Sequence, residues 1–197
     1  MKDLRDFIQK CEEEGELARI KPEVDWYLEL SHIAKLNEEK GGPALLFENV
    51  KDYNSPVLTS ACTTTNRLAL IMGMPKNTTL VELMREWVKR TRLKIPPQWV
   101  DTGPCKENID KGDQINLLKF PVPHVYPKDG GRYFGTAVYV VSKDPDTGWV
   151  NLGTYRLQIL DEKTLGTQFI KGKHADQMLK KYAERKQSMP VAAVIGG

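Results

Sequence analysis

Apolar residues recur at helical spacing from the start of the chain. Leu4, Phe7, Ile8 and Cys11 share one face, Asp3 stands where a cap belongs and Gly15 follows as a stop, which predicts a helix. Leu17 to Ile20 alternates as a short strand. Asp25 is placed to cap a second helix, with Leu30, Ile33 and Ala34 inward and an end near Gly41-Gly42. Ala44 to Phe47 and Val57 to Ser60 are strand-like, joined by the polar turn Asp52-Tyr53-Asn54-Ser55. Helical periodicity returns over Thr63 to Met72 and Leu80 to Val88, the second preceded by Thr78-Thr79 as cap candidates. Helices and strands in alternation predict an α/β or α+β lobe.

The texture then changes. Pro96-Pro97, Gly103-Pro104, Pro121, Pro123 and Pro127 punctuate a connecting stretch, so a boundary is expected between residues 95 and 125. Beyond it, Tyr133 to Ser142 and Trp149 to Leu160 are long strand-like runs. Asp144-Pro145-Asp146-Thr147-Gly148 between them predicts a hairpin. Thr164 to Ile170 reads as a third strand, and a helix from His174-Ala175 runs to about Lys186. The apolar run Val191 to Val194 reads as a buried strand, and Ile195-Gly196-Gly197 as the start of a loop leading onward, as though the chain were cut there. The expected fold is mixed α+β: a lobe and linker over residues 1–115, then a β-rich part over 116–197.

Composition narrows the class. With 40% hydrophobic and 28% charged residues in 197, the chain can bury a core and is too apolar to be disordered. No run approaches the ~18 consecutive apolar residues of a membrane span. Lys and Arg number 29 against 26 Asp and Glu, a balance that gives no footing for nucleic acid. The one basic concentration, Arg85, Lys89, Arg90, Arg92 and Lys94, reads as a solvated helix end. Cys11, Cys62 and Cys105 are scattered and odd in number, and the charged N-terminus has no apolar signal core, so a reducing cytoplasm is the expected compartment.

Candidate chemistry concentrates in the second half. His32 reads as a packing or surface residue and His124 as structural. His174 follows Lys171-Gly172-Lys173 at a turn into a helix N-terminus, where backbone N–H groups and two lysines favour an anion. Asn151-Leu152-Gly153-Thr154-Tyr155-Arg156 is unusually polar for a core strand. In a regular strand Leu152, Thr154 and Arg156 share one face and Asn151, Gly153 and Tyr155 the other. Asn151 and Arg156 can then meet at one site only if the strand bends, most cheaply at Gly153. There is no nucleophile elbow, Walker loop or Rossmann fingerprint. The residues alone stop at an α/β protein with an anion or metal site near 151–174.

Several separated motifs agree in order and spacing with one family. Asp3-Leu4-Arg5-Asp6-Phe7, Gly15-Glu16-Leu17, Glu23-Val24-Asp25 and the stretch Gly42 to Val50 resemble the opening of UbiD-family decarboxylases. Gly130-Gly131-Arg132-Tyr133, Thr136, Asn151 to Arg156 and the Lys171-to-His174 turn resemble that family's cofactor-binding region. The resemblance implies an N-terminal α/β lobe followed by part of a split-barrel-like flavin-binding domain. It implies prenylated FMN, Mn2+ or Mg2+, and K+ nearby, serving reversible decarboxylation of an aromatic or α,β-unsaturated acid. By resemblance Asn151 and His174 are metal ligands, and Asn151, Gly153, Thr154, Tyr155, Arg156, Gln168, Phe169, Ile170, Lys173 and His174 line the cofactor. Arg156 is implied as the catalytic arginine that holds the substrate carboxylate.

The resemblance also implies a flavin prenyltransferase as cofactor supplier and a homo-oligomer of the longer protein. The family's third metal ligand, a glutamate, and its catalytic acids lie downstream of any residue matched here. The chain alone is therefore expected to lack decarboxylase activity and to retain flavin weakly. Lys173 stands where some members carry another polar residue. The competing expectations are a non-catalytic partner module completed by another subunit, and a simple metal- or nucleotide-binding domain only remotely related.

Overall fold

The computed structural model describes residues 1, 3–134 and 138–196. Thr136 lies outside these, as do the middle of the run from Tyr133 to Ser142 and the final Gly197. The described fold is mixed α and β, as expected. The chain divides into two compact units: Met1–Glu23, Ile33–Asn49 and Pro56–Asn116 form the first, and Val24–His32, Val50–Ser55 and Leu117–Gly197 the second.

In the first unit α1 (Leu4–Glu13) starts where Asp3 Oδ1 accepts the Asp6 N–H at 2.9 Å, and it buries Phe7 and Cys11. Gly15, at φ +69°, supplies the left-handed turn that leads into β1 (Leu17–Ile20). β1 pairs in parallel with β2 (Ala44–Phe47), which pairs antiparallel with β3 (Val57–Thr59). Every residue of central β2 is buried, the signature of a strand covered on both faces. Thr64 caps α3 (Thr65–Ile71), and a reciprocal Thr79–Glu82 capping box opens α4 (Leu80–Thr91). The basic residues at the end of α4 are exposed, with Lys89 and Arg90 paired to Glu86. Three single 3-10 turns, the first two at Pro104–Lys106 and Gly112–Gln114, occupy the proline-punctuated stretch.

The helix expected from Asp25, α2 (Glu29–Glu39), begins four residues later and buries Leu30 and Ala34. Asp25 instead organises a turn. Its Oδ1 accepts the Tyr27 N–H at 2.8 Å, and Leu28 at φ 66° breaks the helical path.

Among its described residues the second unit holds two three-stranded antiparallel sheets with orders β4-β7-β8 and β6-β5-β9. The strands are β4 (Tyr133–Phe134), β5 (Val138–Lys143), β6 (Val150–Gly153), β7 (Leu157–Ile159), β8 (Leu165–Thr167) and β9 (Val191–Ile195). Phe134, Leu157 and Ile159 of one sheet and Val138 and Val140 of the other share a core with Val122. The β5–β6 hairpin forms as expected. The run from Trp149 to Leu160 is not one strand, because it leaves one sheet after Gly153 and joins the other at Leu157. The predicted third strand shortens to β8, leaving Gln168, Phe169 and Ile170 in a loop before α5 (His174–Glu184). β9 pairs with β5, but all five of its residues are exposed, so the expected burial of this strand is corrected.

Early segments complete this unit. Val24 bridges to Val50 and Tyr27 to His124, whose rings lie 4.9 Å apart. Arg132 donates to Tyr53 Oη at 2.7 Å and to the carbonyls of Val122 and Phe120, and its guanidinium lies 4.4 Å from the Trp26 ring centre. Among the described residues no helix is long and apolar enough to cross a membrane.

Candidate functional site

The polar strand and the histidine turn meet. Asn151 sits on β6 opposite Ser142 of β5, so its side chain faces the interior and is 7% exposed. His174 is the first residue of α5, whose buried Ala175 and Met178 seat the helix; Ser142 Oγ donates to Met178 Sδ at 3.3 Å. This brings His174 Nδ1 to 3.2 Å from Asn151 Oδ1. The two atoms face each other within hydrogen-bond distance, and the imidazole tautomer decides whether Nδ1 donates to that oxygen. Asn151 Nδ2 is buried without a hydrogen-bond partner. An orphaned buried donor costs about 1–3 kcal/mol, a cost that a bound acceptor removes.

This donor set suits a hard or borderline divalent cation beside an anionic oxygen: an amide oxygen, an imidazole nitrogen and a free amide N–H. It is a partial set. No group of three or more His, Cys, Asp or Glu able to hold a metal occurs among the described residues.

Around the pair the structure adds residues that the sequence reading did not single out. The Trp149 ring stands edge-on to the His174 ring with centroids 4.8 Å apart. Trp149 lies two residues before Asn151, so strand alternation was the available signal. Asp144 is 8% exposed, and both Lys181, at 2.6 Å, and the Thr147 amide hold its carboxyl below the ordinary range.

The other expected site residues distribute as follows. Lys171 and Lys173 are exposed and flank Gly172, at φ +85°. The Gly172 N–H donates to Asp176 Oδ2 at 2.7 Å, so the turn spends that amide on its own helix. Thr154 and Arg156 are exposed, and Tyr155 is half-buried with its ring edge-on to Phe169 at 4.9 Å. The Tyr155 ring folds back over Gly153, where a Cβ would meet it at 2.3 Å. Arg156 does not join the Asn151–His174 pair. Its guanidinium carbon lies 5.6 Å from the Tyr133 ring centre. Gln168 and Ile170 are exposed.

The site thus sets a strand-borne amide beside a helix-initial imidazole in a mixed α/β chain. The N-terminal domain of the 3-octaprenyl-4-hydroxybenzoate carboxy-lyase family matches residues 8–87, and that family's Rift-related domain matches residues 98–197. The chain belongs to the UbiD family. It is 35% identical to the phenolic acid decarboxylase of Sedimentibacter hydroxybenzoicus, over 99% of this chain and 42% of that protein. The closed form of vanillic acid decarboxylase from the same organism superposes with TM-score 0.94 at 33% identity, covering 100% of this chain and 43% of that one. An evolved dimeric form of the UbiD-class enzyme HmfF from Pelotomaculum thermopropionicum, in complex with prFMN, gives TM-score 0.90 at 29% identity, covering 100% and 44%. The chain thus spans less than half the length of these relatives.

Proposed function

We propose that this chain supplies the N-terminal lobe, residues 1–115, and the first part of the prenylated-FMN domain, residues 116–197, of a UbiD-type carboxy-lyase. The proposed reaction is reversible, non-oxidative decarboxylation of an aromatic or α,β-unsaturated carboxylic acid. Family membership, decarboxylase relatives and the prFMN-bound neighbour support the reading. The observation that carries it is the buried Asn151, with its oxygen beside His174 and its amide nitrogen unpartnered.

In this reading Asn151 Oδ1 and the His174 imidazole would hold Mn2+ or Mg2+, with K+ nearby, and the buried, unpartnered N–H groups of Asn151 would suit the cofactor phosphate. Lys173 and the start of α5 add positive potential for the same anion. Gly153, Thr154, Tyr155, Gln168, Phe169 and Ile170 line the flavin. Prenylated FMN, when bound, supplies a covalent electron sink for the departure of carbon dioxide. Arg156 binds the substrate carboxylate through two parallel hydrogen bonds and stays charged throughout, which orients the scissile bond. The protein's share is placement and exclusion of water. The longer protein works as a homo-oligomer in the cytoplasm, supplied with cofactor by a flavin prenyltransferase.

Asn151→Ala in the complete protein tests the reading. Manganese and flavin retention are expected to fall together; loss of one with full retention of the other overturns the shared site. The 197-residue chain supplied with mature cofactor is expected to turn over no acid, and measurable turnover by it overturns the division of labour.

A further inference from the structure

Two donors carried by different elements keep their spacing only if those elements are locked together. Asn151 rides on β6 and His174 opens α5, 23 positions later. The polar tie between hairpin and helix centres on Asp144, just beyond β5. Its Oδ1 accepts the N–H groups of Asp146 and Thr147 at 2.9 and 3.0 Å, shaping the turn. Its own N–H donates to the Trp149 carbonyl at 2.8 Å, closing the hairpin two residues before Asn151.

The other carboxylate oxygen faces the helix. Oδ2 accepts Lys181 Nζ at 2.6 Å, and Lys181 also reaches Asp146 Oδ2 at 3.1 Å. Arg185 pairs with Asp146, and the Tyr182 hydroxyl donates to the Lys143 carbonyl at 3.2 Å. Lys181 lies two helical turns beyond His174, roughly 10 Å along the axis, so this fastening acts on the imidazole through the helix and not by contact.

We propose that Asp144 is a positioning residue for the Asn151–His174 pair: one oxygen shapes the turn that delivers Trp149 and Asn151, and the other holds α5 through Lys181. Only the metal arm of the test below rests on the functional reading given above. A merely stabilising ion pair would leave the pair's hydrogen bond intact in any variant that stays folded.

The test is nitrogen NMR of the 197-residue chain labelled in its histidines, at one fixed pH of about 8.5. In the parent chain His174 is expected to give one distinct ring-nitrogen pattern, set by its contact with Asn151. Asp144→Asn, which keeps a turn acceptor and loses the charge, and Lys181→Met are each expected to shift that pattern, and Lys181→Arg to restore the parent signal. His32 and His124 report retention of the fold. An unchanged His174 in both folded variants overturns the proposal, and so does unfolding of both, which would make the tie a stability element. Added Mn2+ is expected to broaden His174 selectively in the parent, with roughly tenfold more needed in the two variants. No broadening in the parent removes the metal reading and leaves the ring-nitrogen pattern to decide on Asp144. Equal broadening in parent and variants removes the positioning role.

Discussion

Arg67, whose side chain has no exposed surface, donates from Nη1 to Glu16 Oε2 at 3.0 Å, joining α3 to the turn before β1. Its Nε donates to the Ser60 carbonyl at 3.1 Å and its Nη2 to the Thr63 hydroxyl at 2.6 Å. Arg67→Met strands a nearly buried carboxylate, and breaking such a pair from one side costs about 3–5 kcal/mol. Glu16 keeps Asn66 at 3.0 Å and Lys76 at 3.5 Å, which places the expected loss at the lower end, about 3 kcal/mol. The urea midpoint of the chain measures it, and a shift under about 1 kcal/mol would contradict the role.

Gly153 and Tyr155 are coupled by space. A methyl group at 153 meets the Tyr155 ring at 2.3 Å, so Gly153→Ala must expel the ring from its place against Phe169. A destabilisation of about 1–3 kcal/mol is expected. In the Tyr155→Ala background most of that loss should vanish, and a double-mutant cycle that is additive would show that the ring does not occupy this space.

Thr79 and Glu82 satisfy each other's terminal amides at the start of α4. Thr79→Ala is expected to cost about 1 kcal/mol, and Thr79→Ser much less, read from thermal unfolding.

Burial pushes the Cys11 thiol up to about 11, while Cys62 and Cys105 are exposed. At about pH 8 an alkylating reagent should label Cys62 and Cys105 promptly and Cys11 only when α1 opens. Rapid labelling of all three in the folded chain would mean that Cys11 is not sealed.

Acid should destabilise the fold through identifiable carboxylates. The Arg19 guanidinium lowers Glu12, Lys51 and then the Tyr27 amide lower Asp25, and Lys181 lowers Asp144. A carboxyl depressed on folding contributes stability above its unfolded value, near 4, and loses it as pH falls through the folded value. Stability is therefore expected to hold from neutrality to about pH 4 and to fall below it, with a shallower fall in Lys51→Met. Urea midpoints across pH 2.5 to 7 would decide, and stability rising on acidification through about pH 4 would contradict the assignment.

Local signals were legible wherever local chemistry decides. Asp3, Thr79 and the Asp144-to-Gly148 turn announce their helix start or hairpin within a few residues. Gly153 was marked as the cheapest place for a bend, but the change of sheet after it was hidden because the exposed and covered alternation continues through Thr154, Tyr155 and Arg156 although the pairing partner changes. Periodicity reports which way side chains point and is silent about which strand lies alongside. Leu28 in a left-handed turn is equally invisible, since leucine advertises no such preference. The Asp144–Lys181 tie spans 37 positions and joins a residue that on a sequence reads as part of a turn to one that reads as surface charge. For the site, residues 151 and 174 were singled out from the sequence, while the packing of Trp149 on His174 and of Tyr133 on Arg156 required the fold.

The placement of Val24–His32 and Val50–Ser55 in the second unit has a consequence for synthesis. A ribosome delivers these segments early, long before Arg132, which engages Trp26 and Tyr53, and Phe120 and Val122, whose carbonyls hold its guanidinium. Until that later stretch emerges, Trp26, Tyr27 and Tyr53 are aromatic groups without their destination. The nascent chain thus carries a waiting period written into its topology.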